Sequence, residues 1–242
     1  MRTIGLLGGM SWESSIEYER IIHERVRDRV GGVASGDLVM RTFNFAEIEA
    51  LQSAGRWDDA GRLLAGAAQS LVAAGATAVV ICSNTMHLLA DEVATAIDVP
   101  LLHIADPTGD AVRTHGIDQV ALLGTRFTME QPFYADRLRE RFGLTVLTPD
   151  ERGRAIVHSV IYDELVRGIV SPSSREAYID VIDELVARGA QGVIAGCTEI
   201  ELLVRPDDIS VPLFATARLH AEAAAEWCLG DDATTLRTRP SA

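Results

Sequence analysis

Apolar runs of four to six residues alternate along the chain with longer stretches in which apolar side chains recur every three or four positions. That alternation predicts a parallel sheet covered by helices, because neighbouring parallel strands are joined by a crossover. The short runs predict eight strands: Thr3 to Leu7, Leu38 to Phe43, Ala78 to Cys82, Leu101 to Ile104, Val120 to Leu123, Thr145 to Leu147, Gly192 to Gly196 and Val211 to Phe214. The periodic stretches predict helices over Trp12 to Val30, Trp57 to Ala74, Met86 to Ile97, Gln131 to Phe142, Ala155 to Arg167, Arg175 to Arg188 and Arg218 to Leu229. From Asp231 to Ala242 no periodicity is left, and a flexible tail is expected there.

The two halves of the pattern repeat each other. GATAVVICSNT from Gly75 aligns without a gap on GAQGVIAGCTE from Gly189, an offset of 114 residues. TIGLLGGM aligns on QVALLGTR at an offset of 116, and DVPLLHI on SVPLFAT at 112. Three strand-and-loop matches in the same order argue for duplication of one α/β unit. The fold class expected is therefore α/β, with two pseudo-symmetric domains, each a mostly parallel four-stranded sheet flanked by helices. Ligands of such sheets bind beyond the carboxyl ends of the strands, so the site is expected in a cleft between the domains. The repeat also pairs residues: Ser83 with Cys197, Asn84 with Thr198, Thr85 with Glu199, and Cys82 with Gly196.

Composition narrows the chemistry. With 242 residues, 48% of them apolar and 24% charged, the chain has the balance of one large or two small globular domains. A net charge of -13 repels polyanions, and no basic patch is visible to hold nucleic acid or an acidic membrane surface. No apolar run approaches the ~18 residues of a membrane span, and MRTIGLLGGM leads into no cleavage site, so a cytoplasmic protein acting on a small molecule is expected. The three cysteines show no C-x-x-C spacing, which argues against a disulfide framework and a structural zinc site. All 22 basic residues are arginine. Without lysine the chain cannot form an internal Schiff base with pyridoxal phosphate. The histidines show no ligand spacing on one helix face, so no metal is expected, and the glycines after the first strand do not form a nucleotide-phosphate loop. No cofactor is indicated.

Candidate chemistry collects at the paired loops. Cys197 lies where a strand ends and a helix begins, a position expected to lower a thiol's pKa. Thr198 and Glu199 beside it are polar where a core would be apolar. Cys82 falls one residue earlier in its own repeat, so its side chain is expected to point into the domain and away from that of Ser83. Ser83 lacks the G-x-S-x-G elbow of a serine nucleophile, and His87, four residues on, is a partner only in principle.

Gly-Gly-Met-Ser at Gly8 to Ser11, Ser-Asn-Thr-Met-His at Ser83 to His87, Leu-Leu-Gly-Thr at Leu122 to Thr125 and Gly-Cys-Thr-Glu at Gly196 to Glu199 together resemble the aspartate/glutamate racemases. The likeness runs from about Arg2 to Leu229. It implies two pseudo-symmetric α/β domains, the first of residues 1–99 with 213–230 and the second of 100–212, because in that family the last helix returns to the first domain. One departure stands out: the position of the family's first catalytic cysteine is Ser83 here. The resemblance therefore points to a subset with a hydroxyl residue there, specific for acidic amino acids. It implies a 1,1-proton transfer without cofactor, Cys197 serving the face of the L-enantiomer and Ser83 the D side. It also implies substrate contacts from Met10, Gln52, Asn84, Thr85, Thr125, Thr198 and Glu199, and from Arg167 for the distal carboxylate. Three readings stay open beside it: a single-cysteine decarboxylase of malonate-type acids, a non-catalytic amino-acid-binding relative, and isomerisation of hydantoins or maleate. The oligomeric state is also open, a homodimer being the assembly considered.

Overall fold

The apolar runs form eight strands in two four-stranded sheets, and every strand pairing in both is parallel. The structure, a computed structural model, describes residues 1–230; the stretch from Asp231 to Ala242, expected above as a tail, lies outside the described residues. Two compact units result among the described residues, Met1–His103 with 220–230, and Ile104–Leu219.

The first unit runs β1 (Thr3–Gly8), α1 (Trp12–Val30), β2 (Asp37–Thr42), α2 (Phe45–Ser53), α3 (Trp57–Ala73), β3 (Ala78–Ile81), a 3-10 turn at Thr85–Leu89, α4 (Ala90–Thr95) and β4 (Leu101–Leu102), with strand order β2-β1-β3-β4. The second runs α5 (Ala105–Thr114), β5 (Gln119–Gly124), α6 (Arg126–Glu130), α7 (Pro132–Phe142), β6 (Thr145–Leu147), α8 (Glu151–Ser159), α9 (Pro172–Ala187), β7 (Val193–Gly196), α10 (Ile200–Leu203) and β8 (Leu213–Ala215), in the equivalent order β6-β5-β7-β8. A last helix, α11 (Thr216–Leu229), carries His220 and Glu226 back to the first unit, where Tyr18, Arg25 and Arg29 of α1 bond them.

Burial explains why the central strands are apolar without a break. In β5 and β7, Ala121, Leu123, Val193 and Ala195 enter one buried cluster, with Val157, Tyr178, Ile182 and Leu185. The alternate residues Val120, Leu122 and Ile194 enter the opposite cluster, with Val112, Leu138 and Phe214. Successive side chains of a strand point to opposite faces, so helices on both faces demand apolar residues throughout. In the first unit Leu7, Val79 and Ile81 pack with Leu64 and Leu71 of α3 in the same way.

The structure corrects several boundaries. The stretch expected as one helix from Ala155 to Arg167 is α8 followed by a π turn at Val160–Glu164 and a 3-10 turn at Leu165–Arg167, closed by Gly168 at φ 72°. The stretch from Met86 to Ile97 is likewise split into the 3-10 turn and α4. Helices α2, α5, α6 and α10 were not expected at all. α2 begins on Asn44, whose side chain accepts from the Ala46 amide while its own amide donates to Glu47, a start signal legible as N-x-x-E. α5 holds Pro107 in its first turn, where proline is tolerated, and Gly109 against the Phe142 ring, two residues that read as breakers.

Gly9 is a position the fold cannot give up. It adopts φ 83°, and a Cβ there would overlap the Phe43 backbone, whose N–H bonds Gly8. Gly9→Ala should therefore destabilise the protein by about 2 kcal/mol or more in urea unfolding; a change within about 0.5 kcal/mol would show that the turn relaxes freely.

Candidate active site

In each unit two loops leave the carboxyl ends of the two central strands side by side. Leu7 of β1 pairs with Ile81 of β3, and the Cys82 amide continues the ladder to the Leu7 carbonyl at 2.9 Å. Gly8-Gly9-Met10 therefore emerges beside Ser83-Asn84-Thr85. Gly124 of β5 pairs with Gly196 of β7, so Thr125 emerges beside Cys197. In open parallel sheets this end is where ligands bind.

In the first unit Ser83 is partly exposed, while Cys82, Asn84, Thr85, Met86 and His87 around it are buried. Cys82 faces the interior, as the alternation requires. The Ser83 hydroxyl oxygen accepts from the Met86 amide at 3.4 Å, which leaves its own proton uncommitted among the described residues. Met10 and Met86 share one buried apolar cluster. Gln52 of α2 is buried and donates to the Met86 sulfur at 3.0 Å. The Gly9 amide donates to the Ser15 hydroxyl at 2.7 Å, which ties the glycine turn to α1.

In the second unit Cys197 and Thr198 are partly exposed, and Glu199 is buried, only 5% exposed. The Glu199 carboxylate accepts from the Cys197 thiol at 2.9 Å and from the Thr198 hydroxyl at 2.8 Å. Thr125 caps α6, its hydroxyl accepting from the Thr128 amide at 3.4 Å. Arg167 ends the 3-10 turn before Gly168 and is exposed.

The charge pattern reverses one expectation. The thiol of Cys197 is pushed up, above all by burial, and then by the charge and hydrogen bond of Glu199; the amides of Glu199 and Thr198 pull it down more weakly. Helix α10 is a single turn, too short to offset an adjacent carboxylate. Burial alone raises Cys82; burial, and after it the charge of Asp37, pushes Cys228 up to about 11. Cys197 is thus the partly exposed thiol of the three, and it has a proton acceptor in contact.

Each unit gathers its own share of the expected residues: Met10, Gln52, Ser83, Asn84 and Thr85 in the first, Thr125, Arg167, Cys197, Thr198 and Glu199 in the second. Tyr178 was not singled out. It packs in the apolar cluster on which Cys197 rests and donates to the Val157 carbonyl at 2.8 Å. Burial, with Cys197, Glu164 and Glu199 nearby, raises its phenol pKa well above the ordinary value. Only its helical spacing with Val181, Ile182 and Leu185 marked it, as a core residue. Among the described residues no cluster of three metal-ligating side chains occurs, and no helix is long and apolar enough to cross a membrane.

Residues 7–224 match the family of Asp/Glu/hydantoin racemases. The chain is 50% identical to a Yersinia pestis protein whose crystal structure was solved as a candidate Asp/Glu racemase, the match covering 95% of this chain and all of that one, with a TM-score of 0.89. It is 30% identical to an aspartate racemase homologue from Pyrococcus horikoshii OT3, again over 95% of this chain and all of that one, with a TM-score of 0.81. It is also 22% identical, over 68% of its length and 70% of the relative's, to the broad specificity amino-acid racemase RacX of Bacillus subtilis strain 168.

The Cys197–Glu199 contact generates a measurable pH dependence. Because the folded thiol is raised, alkylation of Cys197 by iodoacetamide should increase with pH along a curve displaced above that of an ordinary thiol near 8.5. Glu199→Gln removes the adjacent negative charge and should move the curve down. An unmoved curve in Glu199→Gln, read by peptide mass spectrometry, would contradict the assigned cause.

Proposed function

The chain belongs to the Asp/Glu/hydantoin racemase family, and from that membership we propose that it interconverts L- and D-acidic amino acids by 1,1-proton transfer without pyridoxal phosphate. The observation that carries the reading is the equivalence of Ser83 and Cys197. Each follows the second central strand of its unit, each is partly exposed, and the internal repeat aligns them without a gap. Two proton-transfer groups at equivalent positions of a duplicated unit are what exchange at one carbon from opposite faces requires.

In the proposed reaction Cys197 serves the L side. Its proton passes to the Glu199 carboxylate, and the thiolate then takes the Cα proton. Held as the neutral thiol at rest, Cys197 stays protonated until substrate arrives, and Glu199 makes the transfer local. The electron pair left on Cα spreads into the substrate carboxylate, and loop amides near Asn84, Thr85 and Thr198 stabilise the charge. Ser83 gives its hydroxyl proton to the opposite face; solvent then restores that proton and takes up the one left on Glu199, which closes the cycle. Glu199 is thereby assigned to the thiol. Met10, Gln52 and Thr125 shape the pocket, and the exposed Arg167 takes the distal carboxylate in a bidentate pair. A hydroxyl in place of a first cysteine supports assignment to a subset selective for acidic substrates, and the broad specificity of the Bacillus relative makes a panel of amino acids the right screen.

The test is chiral chromatography of L- and D-amino acids incubated with purified protein and no added cofactor. Racemisation of aspartate or glutamate is expected in the wild type, with loss of at least roughly 1,000-fold in Cys197→Ala and little change in Cys82→Ser. Ser83→Cys should raise kcat, since a thiol exchanges protons at neutral pH far more readily than an alcohol. Full activity in Cys197→Ala would remove the assignment. Release of carbon dioxide from arylmalonates in place of racemisation would establish the decarboxylase reading, which also needs only one accessible thiol.

A further inference from the structure

We propose that His87 is a positioning residue that sets the Ser83 hydroxyl through the Ser83 main chain, a proposal that rests on Ser83 being the second proton-transfer group. The two equivalent loops hold their key residue differently. In the second unit the Cys197 carbonyl accepts an ordinary backbone bond from the Ile200 amide at 3.2 Å. In the first unit the corresponding amide, that of Met86, turns to the Ser83 side chain, and the next, that of His87, bonds the Asn84 carbonyl at 3.1 Å. The Ser83 carbonyl is served by the His87 imidazole, whose Nδ1 lies 2.7 Å away. Position 87 falls on Glu201 in the repeat, so the second unit has no counterpart of this imidazole.

The protonation of the ring follows from its partner. A carbonyl only accepts, so Nδ1 of His87 carries the hydrogen and donates it. His87 is only 2% exposed, and its ring is packed edge-on against His103, with centroids 4.6 Å apart, and against His220, at 5.5 Å. His220 is itself fixed, its Nε2 donating to the Leu102 carbonyl at 2.7 Å and its Nδ1 bonding the Tyr18 hydroxyl at 2.8 Å. The imidazole is thus oriented by two neighbouring rings. The same side-chain bond occurs at His115, whose Nδ1 meets the Ala111 carbonyl at 2.8 Å, but that carbonyl also receives a backbone amide at 3.2 Å. At Ser83 the imidazole is the partner that the geometry supplies. Its loss leaves the carbonyl free to rotate, and the hydroxyl direction turns with it.

The consequence is specific to one face of the substrate. Removal of the Nδ1 donor should slow the Ser83 step and leave the Cys197 step in place. In D2O, His87→Ala should lose roughly tenfold or more in kcat for racemisation with a smaller change in KM, while unreacted L-substrate still gains deuterium at Cα at a rate within about twofold of wild type. His87→Asn, whose amide nitrogen falls where Nδ1 lies, should restore most of kcat. His87→Gln, whose amide lies one bond farther out, should not, and it replaces the alanine variant if that one fails to fold. Parallel loss of exchange and racemisation in folded Ala and Gln variants, no loss in either, or no rescue by a folded Asn variant would overturn the positioning role. A wild-type protein that neither racemises nor exchanges would overturn the racemase reading, and this proposal with it.

Discussion

The central strand pairs, β1 with β3 and β5 with β7, are buried on both faces, and that constraint decides where chemistry can sit. Along these strands every residue after the first of β1 and β5, and every residue of β3 and β7, is buried, so a polar group placed there would be desolvated without a partner. The carboxyl ends are the first positions where polar side chains are tolerated. They are also crowded: a Cβ on Gly124 would meet the Gly196 carbonyl at 2.9 Å, and one on Gly196 the Leu123 carbonyl at 2.8 Å. Glycine there lets two strands end in contact and brings Thr125 and Cys197 out side by side. In the first unit a Cβ on Gly8 would meet the Ser15 hydroxyl at 2.7 Å.

On this common frame the two loops differ in how, in the proposed reaction, each would prepare a proton. In the second unit burial, and after it the charge of the buried Glu199 carboxylate, raises the thiol's pKa, and that carboxylate lies in contact as a local acceptor. The first unit offers a hydroxyl whose proton is harder to move, and fixes its backbone with an imidazole held by two other rings. Both are polar contacts made within a few residues of the key side chain. The duplicated scaffold therefore carries unlike contacts at its two equivalent positions, and the difference resides in the side chains at positions 87 and 199.

Much of the frame was legible in the sequence, because strand runs and an internal repeat are properties of residue order. The repeat aligned Ser83 with Cys197 and separated it from Cys82, and burial of Cys82 agrees with the period-two alternation that set it apart. Short helices were the main omission. α5 carries Pro107 and Gly109, and α6 and α10 are too brief for a 3.6-residue period to register. The direction of the Cys197 shift was read wrongly for a different reason. A strand-to-helix position suggests a lowered thiol, whereas the side-chain rotamer that turns Glu199 back onto the sulfur has no signature in residue order. The spacing of Ser83 and His87 was likewise visible, but not that the imidazole would choose the carbonyl over the hydroxyl.

The central claim, that Cys197 and Ser83 are unequal proton-transfer partners on opposite faces of Cα, is tested most directly by isotope exchange from each enantiomer of the wild-type substrate. In D2O at low conversion, unreacted L-substrate should gain deuterium at Cα faster than D-product appears, because the thiol side reverses and exchanges with solvent before the serine side delivers its proton. Starting from D-substrate, the unreacted pool should show little deuterium beyond what racemisation itself explains. Equal exchange from both enantiomers, or none from L while D-product accumulates, would contradict the account.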